Sequence, residues 1–291
     1  VGGGGDTAGG GTQGRSGGLH RRHKTALTVF GGGMVEIDDA TYNEWQRTCV
    51  KCSDEKEKVT AALQPVIDEM ESRHAMLDIG AGDGNLTLRL APSFKLAVAV
   101  DPNTTVGYVF ESQGIRYICA GFEDTDIGSE KFDLIVCSHV FWLVKKADRP
   151  AFIEKMLSHL SPRGKAAIIM GAPRGQSHDF HKQFFFGHDM SSHDIMSEIQ
   201  NTRVVTRVIP VSSTIQTPSF EDFFNICKLF VAQSWLHPSN VRNYELVAQI
   251  GDIGAYTHQK FEEIEAYIRD RCFHDGVYRM VNELDIIVFS E

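Results

Sequence analysis

The chain is 291 residues long, 42% of them hydrophobic, and carries a formal net charge of −9. That length and apolar content can bury one large core with an appended subdomain. An acidic chain without a clustered Lys and Arg stripe argues against nucleic acid as a partner, because phosphate contacts need concentrated positive charge. No apolar run approaches the roughly 18 residues that a membrane helix needs, so no membrane partner is expected either. The six cysteines, Cys49, Cys52, Cys119, Cys137, Cys227 and Cys272, form no disulfide framework, and several sit in apolar runs as small hydrophobes. A soluble, cytoplasmic monomer in a reducing compartment is the expectation.

Residues 1–33 are glycine-rich, with a small basic cluster at Arg21, Arg22, His23 and Lys24, and are expected to be disordered. The sequence opens on Val1, and Met34 follows a glycine triplet. A transit-peptide remnant and a stretch translated upstream of a start at Met34 both fit that pattern. Residues 34–72 read as an N-terminal helical cap of two helices meeting near "KCSDEKE", where Ser53 or Asp54 can cap the second. Cys49 and Cys52 have the spacing of half a zinc site, but no second pair exists at a matching spacing, so a structural role is expected.

From 73 to 218 short apolar runs alternate with helical stretches. The runs are "AMLDI" (75–79), "KLAVAV" (95–100), "IRYICA" (115–120), "FDLIVCS" (132–138) and "KAAIIMG" (165–171), each apolar enough to be buried on both faces. Parallel strands with crossover helices follow, hence an α/β doubly wound sheet. Beyond Gly171 come a His- and Phe-rich loop, a helix at 192–201 and a strand at 203–211. A helical insertion over 219–273 is expected to carry substrate contacts, and the closing segment, 274–291, holds a last strand at 283–290.

The stretch "LDIGAGDGNLTLRL" (77–90) reads as strand, tight turn and helix. Its glycines are Gly80, Gly82 and Gly84, and Asn85 stands where the third glycine of a dinucleotide fingerprint belongs. Asp78 and Asp83 flank the turn and would repel a diphosphate on the helix N-terminus. Asp101 closes the second strand where an acid reaches ribose hydroxyls, and Pro102 stops the strand there. A ligand with a ribose and a cationic, zwitterionic end but no phosphate fits: S-adenosylmethionine.

The run from "LDIGAGDG" through "AVDPN" and "FDLIVCSHVFWLV" to "LSPRGKAAII" resembles the class I (Rossmann-like) methyltransferases. The resemblance implies a seven-stranded, mostly parallel sheet whose last strand is antiparallel and lies near the edge. It also implies an acid beside the adenine, for which Glu123, Asp124 and Asp126 are the candidates, and a cofactor contact at Ser138. Over most of 40–291 the chain further resembles histamine N-methyltransferase and its relatives. "YNEWQRTCVKCSDEK" then places Glu55 on an amine-gripping glutamate and Tyr42 at the substrate. "YRMVNELDIIVFSE" places Asn282 on an active-site asparagine. His139 stands where that family has glutamine, and Trp142 and Leu143 where it has two tyrosines.

What the resemblance implies is an N-methyltransferase for a small amine or imidazole-type metabolite. Glu55 would select the cationic amine and accept its proton, while His139 and Asn282 orient the nitrogen. Trp142, with Phe184, Phe185 or Phe186, would wall the pocket. An O- or carboxyl-directed methyltransferase and a catalytically silent cofactor-binding scaffold are the alternatives. His178, His181, His188 and His193 read as a mobile lid over the substrate and not as a metal site.

Overall fold

The computed structural model describes residues 39–184, 191–200, 205–235 and 253–290. The expected disorder of 1–33 lies outside them, as do Phe185, Phe186 and His188. Two helices come first, α1 (Asp39–Cys52) and α2 (Glu55–Asp68). Strand and helix then alternate through β1 (Ala75–Ile79), α3 (Asn85–Leu90), β2 (Leu96–Val100), α4 (Gly107–Glu111) and β3 (Arg116–Ile118). Next come β4 (Phe132–Ser138), α5 (Arg149–Ser158), β5 (Leu160–Gly171), α6 (Gly175–Phe184) and α7 (Ser192–Gln200). The remaining elements are β6 (Val205–Thr217), α8 (Phe220–Trp235), α9 (Ile253–Arg271), the short β7 (Phe273–His274) and β8 (Val277–Phe289).

The strands form one sheet in the order β3-β2-β1-β4-β5-β8-β6, with β7 paired only to β8. Strands β1 to β5 are mutually parallel, and β8 runs antiparallel between β5 and β6. This is the doubly wound sheet anticipated from the sequence, with its last long strand reversed and one place in from the edge. Successive side chains of a strand point to opposite faces. Ala75, Leu77 and Ile79 of β1 therefore join a core with α5 and α7, while Met76 joins another with α2, α3 and Phe110. Burial on both faces is why these strands read as unbroken apolar runs.

Some boundaries differ from the sequence-based expectation, for physical reasons. The expected strands at 203–211 and 283–290 are both longer, because β6 and β8 pair with each other from Val205↔Phe289 to Thr217↔Tyr278. Polar residues such as Ser212, Ser213, Thr214 and Asn282 lie within that ladder and conceal it from apolar periodicity. The expected loop after Gly171 holds helix α6, whose Ser177, Phe180 and Phe184 are buried at helical spacing. Phe184 is corrected from pocket wall to core: it is 3% exposed and packs on Phe180 and Tyr267 with ring centroids 4.8 and 5.4 Å away.

The inserted helices α8 and α9 build a third core with α6, β8 and the Cys49 and Cys52 side of α1. Cys49 and Cys52 are free thiols there, and burial pushes the Cys49 thiol up to about 12. Asp54 occupies the N-cap position of α2 without a capping bond. Its carboxylate instead accepts from the Thr214 N–H at 2.7 Å, and its own N–H donates to the Thr214 carbonyl. Ser53 bridges to Ile215 beside it, so β6 fixes where α2 begins. Among the described residues no helix is long and apolar enough to cross a membrane.

Candidate active site

The strand order reverses between β1 and β4, and in such sheets ligands bind beyond the strand C-termini at that point. A cleft of about 480 Å³ opens there. Gly80 leaves β1 with φ +71°, and its N–H donates to the Val100 carbonyl at 2.7 Å. A Cβ on it would stand 2.0 Å from Val140 Cγ2, so only glycine fits between the ends of β1 and β4. Gly82, at φ +54°, has nothing within 4 Å of a built Cβ, and its N–H donates to Asp101 Oδ2 at 2.9 Å. The middle glycine is thus tied to β2 and leaves room for a ligand. A Cβ on Gly84 would meet the Phe110 ring at 2.9 Å.

Asp101 Oδ1 accepts from the Asn103 N–H at 2.8 Å, so each carboxylate oxygen holds one backbone group and keeps a second lone pair for a ribose hydroxyl. Asp78 lies beneath the turn and is 1% exposed. Its Oδ2 accepts from the Thr87 hydroxyl at 2.6 Å, while its Oδ1 is buried with no partner. Burial pushes its carboxyl up to about 6, against the Thr87 bond and the nearby Lys56 charge that favour ionisation. An orphaned buried acceptor is costly, and one facing a ligand cleft marks a place for a donor from outside.

On the other side of the cleft three residues far apart in sequence converge. Glu55, on the first turn of α2, accepts from His139 at 2.9 Å through Oε1 and from the Asn282 amide at 3.1 Å through Oε2. Lys56 donates to Glu55 Oε1 at 2.9 Å and to Ser138 Oγ at 3.3 Å. Burial alone would raise the Glu55 carboxyl. The charge of His139 when its ring is protonated, the charge of Lys56, and the hydrogen bonds both donate outweigh it and hold the group well below the carboxylate range. Glu55 is thus held as a carboxylate among three hydrogen-bond donors. An ionised carboxylate only accepts hydrogen bonds, so the bonded His139 Nε2 carries a hydrogen and the neutral ring keeps its lone pair on Nδ1. His139 itself has φ 56°, a left-handed turn where the chain leaves β4.

Of the residues expected in the site, Glu55, Asp78, Gly80, Gly82, Asp101, Ser138, His139, Trp142 and Asn282 all line the cleft. Gly84 stands just behind it, capping α3. Tyr42 lies on α1, but its side chain is outside the described residues. Pro102 and Glu123 are exposed and do not line the cleft. Glu123 sits in the turn after β3, where its carbonyl accepts from Lys155. His178 and His181 line the cleft from α6, and burial, with the charges of His178 and His139, pushes His181 down to about 3. They form part of its wall on a helix. Among the described residues no group of three His, Cys, Asp or Glu side chains is placed to hold a metal ion. Lys56 and Thr87 were missed: each is an ordinary helix residue in sequence, and only the partner it meets gives it a role.

Residues 76–164 match the family profile described as a methyltransferase domain. The protein is an S-adenosylmethionine-dependent methyltransferase. An uncharacterized methyltransferase of Staphylococcus carnosus is 29% identical over 139 residues, which is 47% of this chain and 67% of that one. Two solved structures share the fold, each with a TM-score of 0.53 over 79% of this chain. One is a candidate methyltransferase of Bacillus halodurans, at 17% identity and with 96% of its own length covered. The other is a candidate type II methyltransferase of Anaeromyxobacter dehalogenans, at 16% and 95%. The residues of this methyltransferase suit its methyl donor. Asp101 can hold the ribose, Gly82 leaves the space, and the unpaired Asp78 Oδ1 can accept from an ammonium.

Proposed function

We propose that the protein transfers a methyl group to nitrogen on a small amine or imidazole-type metabolite, as its resemblance to histamine N-methyltransferase and its relatives implies. The observation that carries the reading is the convergence of Glu55, His139 and Asn282 beside the glycine turn. The charge of the cleft supports it. Among the described lining residues the carboxylates of Asp54, Glu55, Glu57, Asp78, Asp83, Asp101 and Glu283 outnumber the permanent cations, Lys56 and Arg89. Such a lining concentrates a cationic acceptor as well as the cationic donor.

The donor supplies an electrophilic methyl carbon on a sulfonium. Attack needs a free lone pair on the acceptor nitrogen, and an amine at neutral pH carries a proton there instead. His139, held through Nε2 by Glu55, takes that proton on Nδ1. The nitrogen lone pair then forms the new bond to carbon as the carbon–sulfur bond breaks and its electrons remain on sulfur. Asn282, fixed by Glu55, orients the acceptor at near-attack distance, and Trp142, which lines the cleft, supplies an aromatic side chain of the kind that favours a cation. The acceptor is a free small molecule and the enzyme works as a monomer.

The test is an incubation of purified protein with isotopically labelled donor and a pool of small amines, imidazoles and hydroxyl compounds, followed by mass identification of what gains the label. Label on amine or imidazole nitrogen is the expected result. A second reading, methylation of a hydroxyl or carboxyl group, is favoured by one observation: Lys56 already neutralises Glu55, leaving a Glu–His pair that can deprotonate a hydroxyl. Label on oxygen alone would establish it. No labelled product would leave the silent binder.

A further inference from the structure

Lys56 is the cation at the seam of the cleft. It sits on the first turn of α2, with its ammonium on Glu55 Oε1 on the acceptor side and on Ser138 Oγ at the end of β4. Two of its three hydrogens are placed in this way, and the third remains to donate. The Asp78 and Asp83 charges on the donor side are near enough to raise its pKa together with Glu55, against burial, which lowers it. Arg89 also lines the cleft, but it is exposed and its Nε donates to Asn85 Oδ1 at 2.9 Å.

The methyl donor carries a carboxylate and an ammonium on one carbon. Asp78, Asp83 and Asp101 would repel that carboxylate, so a cation must stand beside it. Opposite, the buried Asp78 Oδ1 has no hydrogen-bond donor of its own. We propose that Lys56 holds the donor's α-carboxylate while Asp78 takes its ammonium, so that the amino-acid end is clamped between α2 and β1. Since Lys56 also touches Glu55, the residue that fixes His139, one side chain joins donor binding to the alignment of the proton acceptor. The inference rests on the donor assignment and is independent of the acceptor's nature.

Calorimetry of the full chain with S-adenosylhomocysteine and with its decarboxylated form isolates the carboxylate contact without turnover. The wild type should prefer the carboxylate-bearing ligand by about ten- to a hundredfold, the range of one charge-assisted hydrogen bond. Lys56→Met should bring the two affinities within about threefold of each other, by loss of that bond alone. Lys56→Arg should keep most of the preference, and Arg89→Met all of it. Asp78→Asn should weaken both ligands alike, because both retain the ammonium. If Lys56→Met weakens both ligands equally, Lys56 only supports the fold and the inference is overturned, while the donor assignment stands. Should Lys56→Met fail to fold, Lys56→Gln is read in its place, and a wild type indifferent to the carboxylate also overturns the inference. A wild type that binds neither ligand overturns the donor assignment itself.

Discussion

Glu55→Gln keeps the shape of the side chain and removes the charge on which three partners converge. The side chains of Glu55 and Lys56 are 14% and 24% exposed, so the ion pair is largely but not wholly withdrawn from water. Each charge-assisted bond is worth about 1.5–3 kcal/mol, and the glutamine carbonyl still accepts one of them. The net loss of stability should therefore be about 2–3 kcal/mol, below the roughly 3–5 kcal/mol for breaking a fully buried pair. For a domain of this size that lowers Tm by about 4–12 °C. The sign with pH follows from the depressed Glu55 carboxyl. A carboxyl that ionises more readily folded than unfolded adds stability above the ordinary glutamate value near 4.3 and loses it as pH falls through its lower folded value. The Tm difference between wild type and variant should be full near neutrality and shrink on acidification below about pH 4. With His139 no longer held, turnover should fall about a hundredfold, the lower range of a general base's contribution, and donor affinity should stay within a few-fold. Thermal melts across pH, initial rates with labelled donor, and calorimetry read the three quantities. Turnover within about twofold of wild type would show that His139 needs no alignment by Glu55 and would refute the proposed proton path.

Asp101→Ala removes both ribose acceptors and the anchor of Gly82, so donor binding by calorimetry should weaken by about a hundredfold or more; undiminished binding would remove Asp101 from the site. Gly80→Ala and Gly82→Ala should separate fold from function. The first drives a methyl into Val140 and should cost at least about 1–3 kcal/mol in denaturant titration. The second meets open space and bears only the left-handed strain of φ +54°, about 1–2 kcal/mol, so it should lose less stability than the first while weakening the donor, and a loss as large as that of Gly80→Ala would contradict the geometry. Asp78→Asn runs the other way. Burial raises its carboxyl from the ordinary aspartate range near 4 to about 6 in the fold, so wild-type stability falls as pH climbs from about 4 to about 6, by about 3 kcal/mol. The asparagine variant should lose that slope and be the more stable protein at neutral pH while binding the donor less well. A slope identical to wild type would place the ionisation elsewhere.

Those effects divide along the line between what was legible in the sequence and what was not. The donor side is local. Asp78, Gly80, Gly82 and Asp101 fall within 24 positions of one another, and their residue types state the ligand's chemistry: room, ribose acceptors and no tolerance for diphosphate. The acceptor side is assembled by the fold. His139 is 84 positions from Glu55 and Asn282 is 227 positions from it, so no spacing joins them, and only resemblance to a family brought them together beforehand. Neither route revealed Lys56, which sits in the charged run "SDEKEK" and looks like part of a solvated helix face. It is drawn inward because Asp54 accepts from the Thr214 N–H and the Ser53 backbone bridges to Ile215 of β6, which docks the first turn of α2 at the cleft, while the Ser53 hydroxyl accepts from the Glu55 N–H as an expected cap would. The consequence reaches the chemistry. A lone Glu55 would be the natural grip and proton acceptor for an amine. With Lys56 and the hydrogen bonds of His139 and Asn282 on it, the carboxylate aligns a base in the proposed reaction, and there the proton goes to His139, at the position where the resembled family carries a glutamine, which offers no basic nitrogen.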